Sequence, residues 1–596
     1  MPQTASSMST TGPWVTGVAD LAARVRPGSR VSVGGVHFTR APVAALLALV
    51  DAEASDLHYV AWGGGLPLEI LLAGDAVASA EFCFSAMDVF GSAPRFRAAA
   101  ENGRIRLIER TALNLIVGLR AEAENLGWDL MQEPAGSALA DGLGRVGAGR
   151  GRAPLVRVEP IPVDVMLLHA QRADDDGNVE IAGARGTDLS TIYAAKEVLV
   201  TVEERVAKGM LGSPRSVIIP RSHITAIATA PRGAFPTSCL PYYGTDYLAI
   251  QRFLETPQTA KAIHVLRAGG LDESDAGASA VPPTRPLVEA MRSVRHIPPA
   301  AEWTVPELMA VHIARTVDDD SVCSFGSASP LPAVAYLLAK QTHAPRALLM
   351  SLNGGYVDID ARPMSLSFAE QIDFETAACH TGGDETYHWY YQSGRVSHEV
   401  VGAAQIDGRG ATNNMWITRA DGTRIRLPGQ GGMGDVANLH RDFVIYLPRQ
   451  DRRNTVRTLD MVSAQRVWSS REVRESYGLR PGTTKVITNL CVFERDAASD
   501  RLQVTELHPG VELADVQAAT GFDVVPARGM TRTSAPTAAE LTALRERVDP
   551  LGVSRLDFVP ARERFALIRE IIDAERAAGA AAQRQTSGKD TAHDFA

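Results

Sequence analysis

Paired cysteines, nucleotide-binding fingerprints and membrane-length apolar runs are all missing from this chain. The five cysteines, Cys83, Cys239, Cys323, Cys379 and Cys491, are scattered and form no CxxC pair. They supply neither a zinc pattern nor a disulfide framework, and they fit a reducing cytoplasm. No apolar run reaches the roughly 18–20 residues of a membrane span. The net charge is −9 and no dense Lys/Arg run occurs, which argues against a nucleic-acid partner. No GxGxxG sits in a βαβ frame with a suitably placed acid, and no GxxxxGK[ST] occurs, so neither a dinucleotide nor an ATP site is expected. A GxSxG elbow is absent too. Residues 1–12 lack a basic stretch followed by an apolar core, so they read as a frayed tail rather than a secretion signal.

What is present is an ample core. With 596 residues, 45% hydrophobic and 22% charged, the chain has room for two or more domains. The most informative stretch is Asp164–Val179. The apolar run Val165–Leu168 leads into Asp175-Asp176-Gly177-Asn178 and straight back to Val179, which reads as strand, tight turn, strand. A weaker copy follows at Val400–Gly410, so two related halves in tandem are expected. Residues 13–130 alternate short apolar runs (Arg30–Val33, Leu57–Ala61, Arg104–Ile108) with helical patterns (Ala41–Leu49, Leu113–Asn125), the signature of a parallel sheet with covering helices. Residues 131–155 are Gly-rich and without periodicity, and read as a mobile loop. The expected organisation is a first domain over 13–267, a linker over 268–300, a second domain over 301–575 and a disordered tail over 576–596.

Glycine clusters mark the ends of the apolar runs. Gly34-Gly35 follows Val31–Val33, Gly63-Gly64-Gly65 follows Tyr59–Trp62, and Gly429-Gln430-Gly431-Gly432-Met433-Gly434-Asp435 precedes a helix-compatible stretch and the strand Phe443–Leu447. Glycines at strand ends let backbone N–H groups approach a ligand, and open α/β sheets bind ligands at the carboxyl ends of their strands. Taken singly, each cluster is more often just a turn.

Together these elements resemble the class I CoA-transferase superfamily. The first half is similar to the A subunit of glutaconate-type CoA-transferases in Gly34-Gly35 with Arg40-Ala41-Pro42, in His169–Val179, in Val198–Glu204 and in the block Pro231-Arg232-Gly233-Ala234-Phe235-Pro236-Thr237-Ser238-Cys239. The second half is similar to the B subunit in Gly402–Gly410, Gly429–Asp435 and Val486–Phe493. The resemblance implies a natural A–B fusion: two tandem, related open α/β domains packed face to face. It further implies an enzyme that takes an acyl-CoA, with coenzyme A as substrate and no metal or redox cofactor. A carboxylic acid would be the acceptor if CoA is transferred. CoA would lie near Gly429, Gly431, Gly432, Gly434 and Asp435, with Arg449, Arg452 and Arg453 as candidate phosphate partners. Gly34, Gly35, Gly63, Gly64, Ser351 and Gly354 would line the substrate site. Pairing into a homo-oligomer is common in the superfamily.

The catalytic carboxylate is the difficulty. Family transferases use a glutamate before Asn-Gly, because only a carboxylate yields an acyl anhydride that CoA can attack in turn. Here the matching segment is Met350-Ser351-Leu352-Asn353-Gly354, with leucine at that place and Asn353 retained. A second branch, the steroid-ring hydrolases, also lacks that glutamate and is similar to this chain in both halves. Its acid/base carboxylate corresponds in register to Ala112, three residues after Glu109. Glu109 is therefore the candidate for catalysis by activated water, against the alternative of an ion pair with Arg110 or Arg120. His37, in the Gly34–Pro42 loop, is a candidate acid/base, and Glu69 a candidate cleft residue. His380, Asp384 and His388 show i, i+4, i+8 spacing, but Gly382-Gly383 interrupts any helix, so no metal site is expected there. Trp62, Phe90, Trp389 and Tyr390 would suit a bulky or cyclic acyl group, or simply a core. Three functions stay open: CoA transfer to a carboxylic acid, acyl-CoA hydrolysis at a thioester or a C–C bond, and CoA binding without turnover.

Overall fold

The computed structural model describes residues 12–149, 151–256, 259–271, 281–294, 302–326, 329–351 and 355–590. Two large sheets organise them. In the first, the strands run in the order Ser216–Ile219, Val179–Ala182, Val163–Asp174, Arg30–Val33, Leu57–Val60, Val77–Phe82 and Arg106–Glu109, with Ala195–Val206 also pairing Val163–Asp174 and then Ala226–Thr229. All neighbours are parallel except those of the Val179–Ala182 hairpin. The second sheet runs Cys379–His380, Tyr356–Val357, Leu348–Ser351, Val322–Phe325, His398–Gly402, Phe443–Leu447, Thr484–Thr488, Cys491–Asp496, Arg501–Leu507 and Pro526–Arg532, with a parallel centre. These central strands are buried on both faces, which is why they read as continuous apolar runs.

The turn at Asp175–Asn178 is as expected. Gly177 has φ +94°, and Asp174 Oδ1 accepts the Asn178 N–H at 2.8 Å, so the side chain closes its own hairpin. Three expectations need correction. The Gly-rich segment 131–155 is not a mobile loop: Asp129–Gln132, Gly144–Ala148 and Pro154–Val158 pair into a three-stranded sheet. Alternation is weak there because one of its strands is wholly exposed. Within the linker 268–300, Thr284–Ser293 is an amphipathic helix that buries Leu287, Ala290 and Met291. The residues around it, 272–280 and 295–300, lie outside the described ones. The tail from 576 continues a helix, Ala561–Asp590, in which Ala578 and Ala582 are buried. Alanine needs only a shallow groove, so a segment low in bulky residues can still dock. Just before it, buried Glu575 accepts the Leu366 N–H (2.6 Å), the Ser367 N–H (2.9 Å) and the Ser365 hydroxyl (2.8 Å).

The halves meet through polar contacts as well as apolar ones. The Gly431 N–H donates to the Cys83 carbonyl at 2.9 Å and the Ser85 N–H to the Pro428 carbonyl at 2.8 Å. The fully buried Arg426 guanidinium grips both oxygens of Glu109 and faces the rings of Phe82, Phe96 and Trp416. Glu109 is thus an ion-pair residue, but its partner comes from the other half; Arg110 pairs with Glu81 and Arg120 with Asp129. Removing one partner strands the other charge in the interior. Arg426→Ala should therefore cost about 3–5 kcal/mol in urea unfolding, and the apolar pair Arg426→Met with Glu109→Leu should recover most of it. A loss under about 1 kcal/mol for Arg426→Ala would mean that this ion pair does not hold the halves together.

Candidate active site

A cavity of about 210 Å³ lies between the halves. It is built where parallel strands of both sheets end. Val33 leads into Gly34 and Gly35, Ala61 into Trp62 and Gly63–Gly65, and Phe325 into Gly326; strand His398–Gly402 contributes Glu399, Val400, Val401 and Gly402. The run Gly429–Met433 closes the opposite side. The glycine clusters that are far apart in sequence therefore share one cleft, as expected for open α/β sheets.

Gly35 has φ +76°, and a Cβ there would fall 2.2 Å from the Thr39 carbonyl, so the loop Gly34–Arg40 can turn only with glycine. Buried Asp188 fixes that loop by accepting the Gly35 N–H at 2.8 Å and the Arg40 guanidinium at 2.5 Å. The loop presents His37, itself left-handed at φ +51°, with Nδ1 2.6 Å from the Asp88 carboxylate. A non-glycine residue held in that conformation is uncommon and tends to mark a functional constraint. The Asp88 contact gives the imidazole one orientation, as an acid/base residue needs.

From the second half Glu399 lines the same cleft, and no motif in the sequence singles it out. Its one signal is a carboxylate directly before the apolar Val400 and Val401 in a buried parallel strand. Burial pushes the Glu399 carboxyl up to about 7, opposed by the Tyr391 hydroxyl, which donates to it at 2.7 Å, and reinforced by the charge of Asp435. Tyr391 belongs to a one-turn π-helix, Tyr387–Tyr391, that also sets Tyr387 edge-on to Trp62 in the cleft wall, centroids 5.8 Å apart. Such turns recur at functional sites.

The other candidates sort clearly. Gly34, Gly35, Gly63, Gly64, Gly429, Gly431 and Gly432 line the cleft, and so does His37. Gly434 and Asp435 do not. Gly434 packs on Ser137, and buried Asp435 accepts the Leu113 N–H at 3.1 Å, anchoring a helix of the first half. Glu109 is outside the cleft, held by Arg426. Ser351 lines a second cavity beside the first. Leu352, Asn353 and Gly354 lie outside the described residues. Glu69 is buried and accepts the N–H groups of Arg95 and Phe96, capping a helix rather than facing the cleft. Arg449 and Arg453 pair with Asp451 in their own turn. Phe90 packs in the core with Phe38, Tyr247 and Phe565, and Trp389 is 69% exposed. His380 lies between the rings of Tyr356 and Phe374, Asp384 takes the Ser190 hydroxyl, and His388 meets Arg120. The cluster with metal-ligand spacing among the described residues is instead His169, Glu203 and Cys239. Its imidazole is already bonded to Glu203 at 2.8 Å and Thr201 at 2.9 Å.

Known proteins resemble this chain in sequence and in fold. The sequence model of the family described as Coenzyme A transferase matches residues 15–230 and 307–519. The chain is 33% identical to the B subunit of 3-oxoadipate CoA-transferase from Pseudomonas knackmussii, across 41% of this chain and 92% of that relative. It is 27% identical to the cholesterol ring-cleaving hydrolase IpdA subunit of Mycobacterium tuberculosis, across 41% of this chain and 88% of that relative. An acyl-CoA transferase from Escherichia coli O157:H7 shares the fold, with TM-score 0.63 and 14% identity over 90% of this chain and 99% of that one.

The carboxyl of Glu399 generates a pH test. Its ordinary value is 4.5 and its folded value about 7, so its neutral form favours folding at low pH and that advantage is lost as pH rises through about 7. Glutamine stays neutral throughout. Glu399→Gln should match wild type near about pH 4.5 and exceed it by up to about 3 kcal/mol above about pH 8, read by denaturant unfolding across pH. A difference that does not change with pH would refute a raised Glu399.

Proposed function

Because this chain belongs to the coenzyme A transferase family, we propose that it processes an acyl-CoA in the cleft between its halves, by proton transfer with water rather than through a glutamyl-CoA thioester. The observation that carries this reading is the pair of titratable groups lining the cleft, in a sequence that lacks the family nucleophile. Leucine stands at position 352, where family transferases carry their nucleophile, while two groups suited to hold and return a proton line the cavity, His37, which Asp88 orients, and Glu399. The thioester and pantetheine arm lie along the glycine-lined strand ends, where backbone N–H groups can approach the acyl oxygen. Water adds its oxygen to an acyl carbonyl carbon, and its proton passes to the Glu399 carboxylate. The bond to the leaving group, sulfur or carbon, then breaks, and the same proton is returned to that group. His37, oriented by Asp88, polarises the carbonyl or relays the proton. An acid near neutrality is matched to both directions of transfer.

A second reading, transfer of CoA to a carboxylic acid, is favoured by the 33% identity to the B subunit of 3-oxoadipate CoA-transferase. It would need Glu399 as the attacking carboxylate.

Intact-protein mass after incubation with a panel of acyl-CoAs, with peptide mapping, separates the two. Consumption of acyl-CoA without an acceptor acid and without an adduct is expected, together with a loss of about 10²–10⁴ in kcat for Glu399→Gln at nearly unchanged KM. A gain equal to CoA, mapped to a carboxylate, would replace the first reading with the second.

A further inference from the structure

One buried histidine takes no part in the chemistry above. His440 ends the helix Met433–Leu439, whose Met433 and Val436 line the cleft. Its ring is wholly enclosed and meets Tyr391 edge-on, centroids 4.5 Å apart. Among the described residues neither ring nitrogen has a hydrogen-bond partner. A buried polar group left unpaired is costly and calls for a reason. Here Nδ1 lies 3.6 Å from Glu399 Oε2, the same oxygen that accepts the Tyr391 hydroxyl at 2.7 Å.

An imidazolium at that place would pair with Glu399 and pull it into the usual carboxylate range. The surroundings oppose one. Arg466 and Arg474 both donate to the His440 carbonyl, at 2.8 and 2.7 Å, so two guanidinium groups press on the residue. Burial first, then the charges of Arg466, Arg474, Arg480 and His398, hold the imidazole well below its ordinary value. His440 is therefore neutral, and with a carboxylate as its neighbour Nδ1 is the nitrogen that carries the proton. The other groups acting on Glu399 are few. Asp435 opposes its ionisation, the Tyr391 hydroxyl favours it, and Ser324 steadies that hydroxyl at 2.7 Å. Tyr336 and Tyr387 are also near, and burial keeps both protonated. At 3.6 Å the His440 contact is just too long for a hydrogen bond, and such contacts at catalytic groups commonly tighten only during turnover.

Resting on the reading of Glu399 as the proton carrier, we propose that His440 is a positioning residue whose Nδ1–H closes on Glu399 Oε2 each time the carboxyl ionises and lets go when the proton returns. A neutral donor steadies the carboxylate without trapping it, so the proton can pass in both directions.

The test follows Glu399 in the full chain by infrared spectroscopy, through the protonated-carboxyl band that Glu399→Gln removes. It also follows the low-pH limb of kcat/KM for acetyl-, butyryl-, acetoacetyl- and succinyl-CoA, with excess acetate so that hydrolysis and transfer both register. His440→Leu removes the donor and should move both midpoints up by at least about 0.5 pH unit, with kcat/KM down about threefold near about pH 6 and recovering at high pH. His440→Asn, whose amide N–H stands in for Nδ1–H, should hold both midpoints within about 0.2 unit of wild type. If His440→Leu does not fold, His440→Gln replaces it, since that amide corresponds to Nε2 instead. Midpoints that stay put in the donor-free variant, a loss equal at every pH, or a shift that His440→Asn does not reverse overturns this inference and leaves the acyl-CoA reading standing. A wild type that consumes none of the four overturns both.

Discussion

The cleft depends on how closely two backbones approach each other. At one edge of the interface, the loop that begins at Pro428 lies against the end of strand Val77–Phe82, and the two exchange N–H···O bonds at Ser85 and Gly431. A Cβ on Gly429 would sit 2.7 Å from the Cys83 carbonyl, and its φ of +113° is one that side-chain-bearing residues rarely adopt. Glycine here brings the second sheet to the first, and the same loop then forms a wall of the cavity. The glycines that look like a ligand cradle in the sequence are also the contact that makes the cradle two-sided.

On that frame each half contributes one titratable group, held by different means. The first half supports His37 through a chain of backbone and carboxylate contacts, from Asp188 to Gly35 and Arg40, and from Asp88 to the imidazole itself. The second half supports Glu399 by burial in a parallel strand and by one hydroxyl from a π-turn. A buried acid with a single donor is poised between its two forms. A carboxylate saturated with donors, such as Glu540 with Arg315 and its own helix cap, is held down at about 2. Glu399 and Glu540 thus show two opposite settings of a carboxylate, one raised by burial and one held down by its donors.

Much of the fold is legible in the chain. The apolar runs at Arg30–Val33 and Phe443–Leu447 are strands with the expected bounds, and the turn at Asp175–Asn178 follows from Gly177 and the short side chains around it. Those signals are local, carried by periodicity and by backbone preference. The convergence of Gly34, Gly63 and Gly429 is implied by the family resemblance and realised by the sheets. Glu109 and Asp435 are misread from sequence because their partners, Arg426 and Leu113, lie more than three hundred residues away. Glu399 and Asp88 escape notice for the complementary reason. Asp88 lies in no motif, and Glu399 stands just before the Val400–Gly410 run without belonging to it; the meaning of each comes from its place in the fold, beside His37 and beside Tyr391.

The last helix carries a consequence for the order of events during synthesis. Ala561–Asp590 returns from the second half to the first, setting Phe565 against Phe90 with centroids 5.6 Å apart and Arg576 beside Asp246 at 3.6 Å. The first half leaves the ribosome well before the segment that covers this part of its surface. Because domains tend to fold as they emerge, the nascent first half holds an uncovered aromatic patch until helix Ala561–Asp590 appears.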